Sequence, residues 1–261
     1  MRWFKGLLIN LQFFSTIPIP FEFPMDRKHL ERAIQTFPLL GLLHGGIYAS
    51  ILYAIVEWTP FSALTAAFVL WLAPILLTGG IHLDGWIDTS DAFFSYRDKE
   101  KRLEIMKDPR TGAFGVLSIL VLLSAKFFFL YEITVMLQSA TYLLAAAIPF
   151  LSRMVMGVLL VTVSPAKNEG LGSLFKNASS KRTLWIYPFY LLGFGVVLFY
   201  NDFYIGMASY LLAVILIVLF LKKKTIEWFG GMTGDTLGAS VELTEVLLWM
   251  TMWLLHYYAM G

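Results

Sequence analysis

The sequence contains no cysteine, which excludes a disulfide framework, thiolate metal sites and thiol catalysis, and leaves the redox compartment open. Charge is scarce too. Only 15% of the 261 residues are Asp, Glu, Lys or Arg, against roughly 25% in an average soluble domain. Charge of one sign is also lacking, since 20 Lys and Arg face 18 Asp and Glu for a formal net charge of +2. Without a basic excess there is no reason to expect a nucleic-acid partner. What the chain has in abundance is apolar residues, 58% of the total, with a mean hydropathy of +0.69. This composition excludes an ordinary soluble enzyme and implies a membrane protein in contact with a lipid bilayer. Such a protein keeps charges only where something offsets their cost in lipid, so their positions carry the information.

Seven stretches approach the roughly 17–25 apolar residues that a helix needs to cross the hydrocarbon core. They are Phe37–Val56, Phe61–Thr78, Ala113–Tyr131, Val135–Val163, Trp185–Tyr200, Phe203–Leu221 and Val246–Met260, the fourth being long enough to bend at Pro149. An eighth stretch, Trp3–Phe14, is shorter, carries Lys5 and runs into Ile17-Pro18-Ile19-Pro20, which cannot continue a helix. It is expected on the membrane surface or re-entering, and is expected to be retained because no small-residue cleavage site precedes Pro18. Eighteen of the twenty basic residues lie before Phe37, in Arg97–Arg110, in Lys167–Arg182 and at Lys222–Lys224. The intervening connections at Glu57–Pro60, Glu132–Thr134 and Asn201–Asp202 hold none. Basic and non-basic loops therefore alternate, and the positive-inside rule puts the N-terminus and all four basic segments in the cytoplasm. The expectation is an all-α polytopic membrane protein with about seven transmembrane helices, a single domain over residues 1–261. Its chemistry would face the cytoplasm.

After the second span comes Gly79-Gly80-Ile81-His82-Leu83-Asp84-Gly85-Trp86-Ile87-Asp88-Thr89-Ser90-Asp91. Asp84, Asp88 and Asp91 are spaced i, i+4, i+7, which on a helix stacks three carboxylates on one face. Such stacking is tolerable when a hard divalent cation such as magnesium sits among them. The plainer reading is a solvated acidic helix start, against which stand Ile81, Leu83, Trp86 and Ile87. Gly230-Gly231-Met232-Thr233-Gly234-Asp235 repeats the spacing of Gly79 through Asp84, and Glu242 follows Asp235 as Asp91 follows Asp84, with Glu245 one turn further. Two Gly-broken segments at corresponding places suggest a site built between helices, although short strings also coincide by chance. At this point an enzyme and an ion-coupled transporter both remain open.

The segment from Arg97 alternates in sign and reads as a solvated helix up to Glu104. Beyond it, Lys107 and Arg110 precede a Pro109 to Gly115 turn that opens a span, and two cations beside a helix start make an anion site. Magnesium beside an anion cradle implies a phosphate or pyrophosphate substrate. Arg153, near the cytoplasmic end of its span, is expected either to snorkel to headgroups or to reach the same anion. Lys126 is expected to snorkel or pair. His82 is placed to meet metal or phosphate, directly or through a neighbour, and His44 to pack between helices. Glu169–Gly172 with Lys167 and Lys176 forms either a substrate cover or a connector.

Three strings together resemble the cobalamin synthase family of prokaryotic membranes, the adenosylcobinamide-GDP ribazoletransferases. They are GGIHLDGWIDTSDAFF at Gly79–Phe94, RLEIMKDPRTGAFGVL at Arg102–Leu117 and GGMTGDTLGASVELTE at Gly230–Glu245. The early Phe13-Phe14-Ser15-Thr16-Ile17-Pro18-Ile19-Pro20 also resembles the family's N-terminal signature, and the likeness covers effectively the whole chain. Pro109 stands where a small polar residue is expected and Trp86 where a smaller apolar one is. The resemblance implies transfer of α-ribazole, or its 5′-phosphate, onto adenosylcobinamide-GDP with release of GMP, at the cytoplasmic face of the inner membrane and with a homo-oligomer left open. It further implies that Asp84, Asp88 and Asp91 are catalytic and bind Mg2+, with Asp235 and Glu242 completing that site or holding a second ion. His82, Lys107, Arg110, Arg153 and Glu245 would then contact substrate. Prenyltransferase-like enzymes with paired acidic motifs are the in-class alternative. The Asp-Gly-x-x-Ala-Arg core of CDP-alcohol phosphotransferases fails here, because Asp84-Gly85 is followed by Asp88-Thr89.

Overall fold

The computed structural model describes residues 2–167, 169–201 and 203–259. Asp202 and Met260, which end one expected connection and the last expected span, lie outside the described residues. Among the described residues the structure is helical, with one isolated parallel bridge between Pro165 and Met232. The helices are α1 (Arg2–Phe14), α2 (Arg27–Trp58), α3 (Ala63–Thr78), α4 (Ile81–Phe94), α5 (Lys99–Ile105), α6 (Ala113–Val135), α7 (Ser139–Thr162) and α8 (Gly170–Ala178). A short 3-10 turn at Lys181–Ile186 leads into α9 (Tyr187–Tyr200), followed by α10 (Tyr204–Phe229) and α11 (Gly234–Tyr258).

Each of the seven expected spans is a helix, so the chain is an all-α polytopic membrane protein. Six segments are long and apolar enough to cross a bilayer alone: α2, α6, α7, α9 with its 3-10 turn, α10 and α11. The seventh, α3, has 16 residues and so covers about 24 Å, slightly short of a hydrocarbon core of about 30 Å. It meets α4 at an 89° bend. The bend is made by Gly79 and Gly80, whose φ angles of +64° and +77° lie in the left-handed region that glycine enters freely. We read α4 as leaving the span at its end and running across the bundle.

Packing sorts the spans. Helix α7 is the axis, with 94% of its most apolar stretch buried, and it continues through Pro149 as one helix. It is packed by α2, α10 and α11. Around it α6, α9 and α10 turn apolar side chains such as Val121, Leu192 and Leu219 outward, as lipid-facing helices must. Helix α1 has 13 residues and lies against α2, where the buried Asn10 side chain donates to Ala33 O at 2.8 Å and Thr36 Oγ1 at 2.9 Å. Its end is tied to the end of α3, because Thr16 N–H donates to Leu77 O at 2.8 Å. The Phe13-Phe14 pair is thereby held beside Gly79 and the start of α4. The charged segment does form the expected short helix, α5, with an exposed Lys101–Glu104 pair. Arg102 docks it, donating to Trp228 O at 3.0 Å and lying over the Phe93 and Phe229 rings.

Candidate active site

The two Gly-broken strings meet. Each follows glycine in the left-handed region, Gly80 before α4 and Gly230 (φ +77°) before the turn into α11. Helix α11 then starts from a Thr233 cap that accepts Thr236 N–H at 3.1 Å. The two helices cross where Gly85 faces Asp235: a β-carbon on Gly85 would lie 2.7 Å from the Asp235 carbonyl oxygen. This close approach brings Asp84 and Asp88 of α4 to Asp235 in the first turn of α11. Asp88 is half-buried and its carboxyl is pushed up to about 6, first by loss of hydration and then by the charges of Asp84, Asp235 and Asp91. The group is thus short of positive charge within itself.

A cavity of about 360 Å3 opens beside it. Asp84, Asp235, His82, Lys107 and Lys167 all line it, so the acids and two cations share one space. Lys167 is placed by backbone. Met232 N–H donates to Ser164 O and Ala166 N–H to Met232 O, both at 2.9 Å, which ties the segment carrying Lys167 to the turn before α11. Lys167 Nζ also donates to Leu103 O at 2.7 Å, and burial together with neighbouring Lys107 lowers its pKa. Lys107 and Glu169 pair loosely at 3.8 Å on the rim.

Several residues expected at the site have other partners. Both oxygens of Asp91 are taken, Oδ2 by Gly112 N–H and Oδ1 by Gly115 N–H, each at 2.7 Å. The helix start that the sequence offers to a substrate anion is therefore filled by the chain's own carboxylate, which satisfies the first turn of α6. Arg110 does not line the cavity. It is 87% exposed and grips Asp108 through Nε and Nη2, at 2.9 and 2.7 Å, holding that carboxyl down at about 2. Glu242, Glu245 and Arg153 lie deeper in the bundle. Lys126 of α6 pairs with Glu242 at 2.5 Å and with Glu245 at 3.3 Å, while Arg153 of α7 pairs with Glu245 at 2.5 Å. Arg153 is 1% exposed, so it reaches neither headgroups nor the cavity mouth. The cause is mutual neutralisation: two buried cations and two buried carboxylates offset one another where no water can. Lys126 does pair, and His44 does pack between helices, with Nδ1 3.5 Å from Arg153 Nη2.

Among the described residues no three carboxylate or imidazole groups converge on one point that could hold a metal ion. Magnesium rarely asks for that, being held more often by one or two carboxylates with substrate phosphates and waters. Asp84, Asp88 and Asp235, close enough to raise a pKa and lacking a cation among them, have the donor chemistry for such a site. Sequence reasoning did not single out Phe13, Phe14, Phe37 and Phe175 as cavity residues, nor choose between the two readings of Lys167. The signal for the first pair was an aromatic doublet at the end of a short helix just before a proline-rich break.

The family model described as cobalamin-5-phosphate synthase matches residues 6–253. Similar curated proteins are named adenosylcobinamide-GDP ribazoletransferase. One from Geobacillus thermodenitrificans (strain NG80-2) is 39% identical over 264 residues, covering 100% of this chain and 99% of its own. One from Halalkalibacterium halodurans is 34% identical, covering 95% of each, and one from Acinetobacter baumannii (strain ACICU) is 34% identical over 96% of this chain and 97% of its own. No solved structure matches. Three motif strings, a match from residue 6 to 253 and full-length relatives at this identity lead to one placement: the chain belongs to the cobalamin-5-phosphate synthase family.

Proposed function

We propose that the chain is the ribazoletransferase of cobalamin biosynthesis, joining adenosylcobinamide-GDP to α-ribazole or its 5′-phosphate and releasing GMP. The observation that carries this reading is the meeting of the two acid-bearing strings across a cavity whose other wall holds Lys107 and Lys167. The reaction breaks one phosphoanhydride bond and forms one phosphodiester, so it needs charge neutralisation and alignment rather than a covalent intermediate. Lys107 and Lys167 face the phosphate oxygens and offset their charge. Asp84, exposed at the mouth, accepts the proton of the attacking ribose hydroxyl. One or two of Asp84, Asp88 and Asp235 would hold Mg2+ together with substrate phosphates, and the ion would supply charge neutralisation to the phosphoryl transfer. Asp91 acts one step back: by capping α6 it fixes the end of α4 and with it the position of Asp88.

We place the cavity on the cytoplasmic side of the inner membrane, because the segments bordering it, α5 with its following loop and the connection after α7, are two of the four basic ones. The cysteine-free chain permits a direct check. A single cysteine at Arg97 should label only after permeabilisation of the inner membrane in intact spheroplasts, and one at Trp58 without it; labelling of both from one side would overturn the placement. For the activity, purified protein in detergent with Mg2+ should form GMP from adenosylcobinamide-GDP and α-ribazole. No product with both substrates verified would sink it.

A further inference from the structure

A second recess, of about 510 Å3 against about 360 Å3 for the active-site cavity, lies between α6 and α10. Its inner walls are α4, which supplies Trp86, Thr89 and Phe93, and α11, which supplies Ala239 and Leu243. Trp86, Thr89 and Phe93 are spaced i, i+3, i+7, and at about 100° per residue they occupy the face of α4 opposite Asp84, Asp88 and Asp91. The groove therefore backs the helix that carries the acids. Its outer edges are open to the side. Leu117 and Val121 of α6 are 58% and 69% exposed and Phe220 of α10 is 47% exposed, on helices that face lipid. From Phe114 to Val121 the groove follows α6 for about 10 Å, which is about two thirds of one leaflet of a hydrocarbon core about 30 Å thick. The wall is almost all carbon, and the Ser118 and Ser240 hydroxyls turn back onto their own helices, donating to Gly115 O at 2.9 Å and Leu237 O at 2.6 Å.

Charge appears only at one end. Lys224 lines the groove where α10 ends, lies over the Trp228 ring at 5.3 Å and pairs with Glu227 at 2.9 Å. Lys223 and Lys99 act on the same carboxylate, and Arg102 lies over the Phe93 and Phe229 rings of the wall, so this end carries an excess of positive charge. We propose that the groove binds an anionic phospholipid of the bilayer, with one acyl chain between α6 and α10 against α4 and α11 and the phosphate at Lys224 and Lys99. The wall would leave the phosphates and sugar hydroxyls of the nucleotide substrates unpaired, whereas a hydrocarbon chain asks nothing of it. A side opening onto the bilayer and cations at the headgroup level match the two halves of such a lipid. The chain fills the space behind α4 and holds Asp84 and Asp88 against Asp235, which makes turnover depend on the lipid and gives a reaction of water-soluble substrates a reason to stay in a membrane. The binding rests on the membrane placement alone, and the effect on rate rests on the ribazoletransferase reading.

The test uses the full chain, delipidated in detergent and titrated with dioleoylphosphatidylglycerol or dioleoylphosphatidylcholine under native mass spectrometry. The wild type should bind the first phosphatidylglycerol at least about tenfold more tightly than phosphatidylcholine. Lys99→Gln with Lys224→Gln should bring the two lipids level. Leu117→Trp, which adds bulk at an exposed edge of the groove, should weaken both by about tenfold through loss of the space the chain needs. Equal affinities of the wild type for the two lipids overturn the proposal, and so does Leu117→Trp binding as the wild type does. A wild-type dimer that Leu117→Trp splits, with lipid binding unchanged, would give the groove to a second copy and also overturn it. With Mg2+ and both substrates, phosphatidylglycerol should raise GMP release by the delipidated wild type at least about fivefold, and Leu117→Trp should lose that response. Tight binding with an unchanged rate overturns the role behind α4. No GMP with any lipid removes the ribazoletransferase reading and leaves the binding result standing.

Discussion

Two groups of charges sit on the same helix and behave in opposite ways. Asp235 opens α11, facing Asp84 and Asp88 with no cation among them. About 10–15 Å further along the same helix, Glu242 and Glu245 are locked to Lys126 and Arg153. The first group is near water and only partly offset, by Lys167 acting on Asp235; the second is dry and neutral in sum. A buried pair is expensive to assemble and more expensive to break, so the deep group reads as a device that fixes α11 against α6 and α7. The upper group gains nothing from its own members, which raise one another's energy, and so it is built to receive charge from outside.

The sharpest way to break this contrast is to neutralise one acid of each group. Asp84→Asn or Asp88→Asn should cut turnover by about a thousandfold or more, the loss of several kcal/mol of transition-state stabilisation, while the thermal midpoint without metal holds or rises. Near-normal rates would reassign these residues to helix capping. Acid does the same to Asp88 reversibly. Its carboxyl titrates near 6 in the folded protein, so protons compete with the divalent cation as the pH falls through that value, and the Mg2+ concentration for half-maximal rate should climb. The sign for stability is the reverse of the usual carboxylate: with a folded pKa above the unfolded one, the metal-free protein gains stability as the pH falls from about 6 towards 4.

For the deep group the effect should appear in stability first. Arg153→Met leaves Lys126 as the single cation for Glu242 and Glu245, stranding one negative charge, and the expected cost is about 3–5 kcal/mol, read as a lower midpoint of unfolding in mixed micelles. Arg153→Met combined with Glu245→Met leaves the Lys126–Glu242 pair intact and should recover most of that loss. If the double variant is no better than the single one, the group is not a self-neutralising lock.

Between the two groups lies the crossing of α4 and α11, and Gly85→Ala probes it. The new methyl would sit 2.7 Å from the Asp235 carbonyl, so the helices must part, at about 1–3 kcal/mol for the overpacking and at least a tenfold loss of rate as Asp84 and Asp235 separate. Gly238→Ala, whose β-carbon would meet His82 backbone atoms at an ordinary 3.4 Å, should be milder on both measures.

How much of this was written in the sequence follows from range. The spans and the break after α3 were legible because apolar length and a Gly-Gly pair act locally, and the two motifs were legible because i, i+4, i+7 spacing needs only a helix. Helical phase could not say that Glu242 and Glu245 face Lys126 and Arg153 while Asp235 faces Asp84, since that depends on which helices surround α11. Nor could it say that Asp91 fills the start of α6, because a helix N-terminus attracts any carboxylate, whether from substrate or from the chain. The cavity phenylalanines belong to α1, α2 and α8, which come together only in the fold.

The smallest expected effect tests the same distinction among the cations. Arg110 sits one loop from the site and carries the charge that a phosphate wants, yet both its hydrogen-bonding faces toward Asp108 are committed and the rest points into solvent. Lys107 and Lys167 face the cavity. Arg110→Ala should therefore change kcat/KM less than about twofold, as most exposed pairs contribute no more than about 1 kcal/mol, whereas Lys107→Ala or Lys167→Ala should cost about tenfold by removing a charge-assisted bond to phosphate, worth about 1.5–3 kcal/mol. An Arg110→Ala enzyme as impaired as the lysine variants would mean that Asp108 releases its partner when substrate arrives, and that the paired and unpaired charges of the resting protein are not a guide to which of them act.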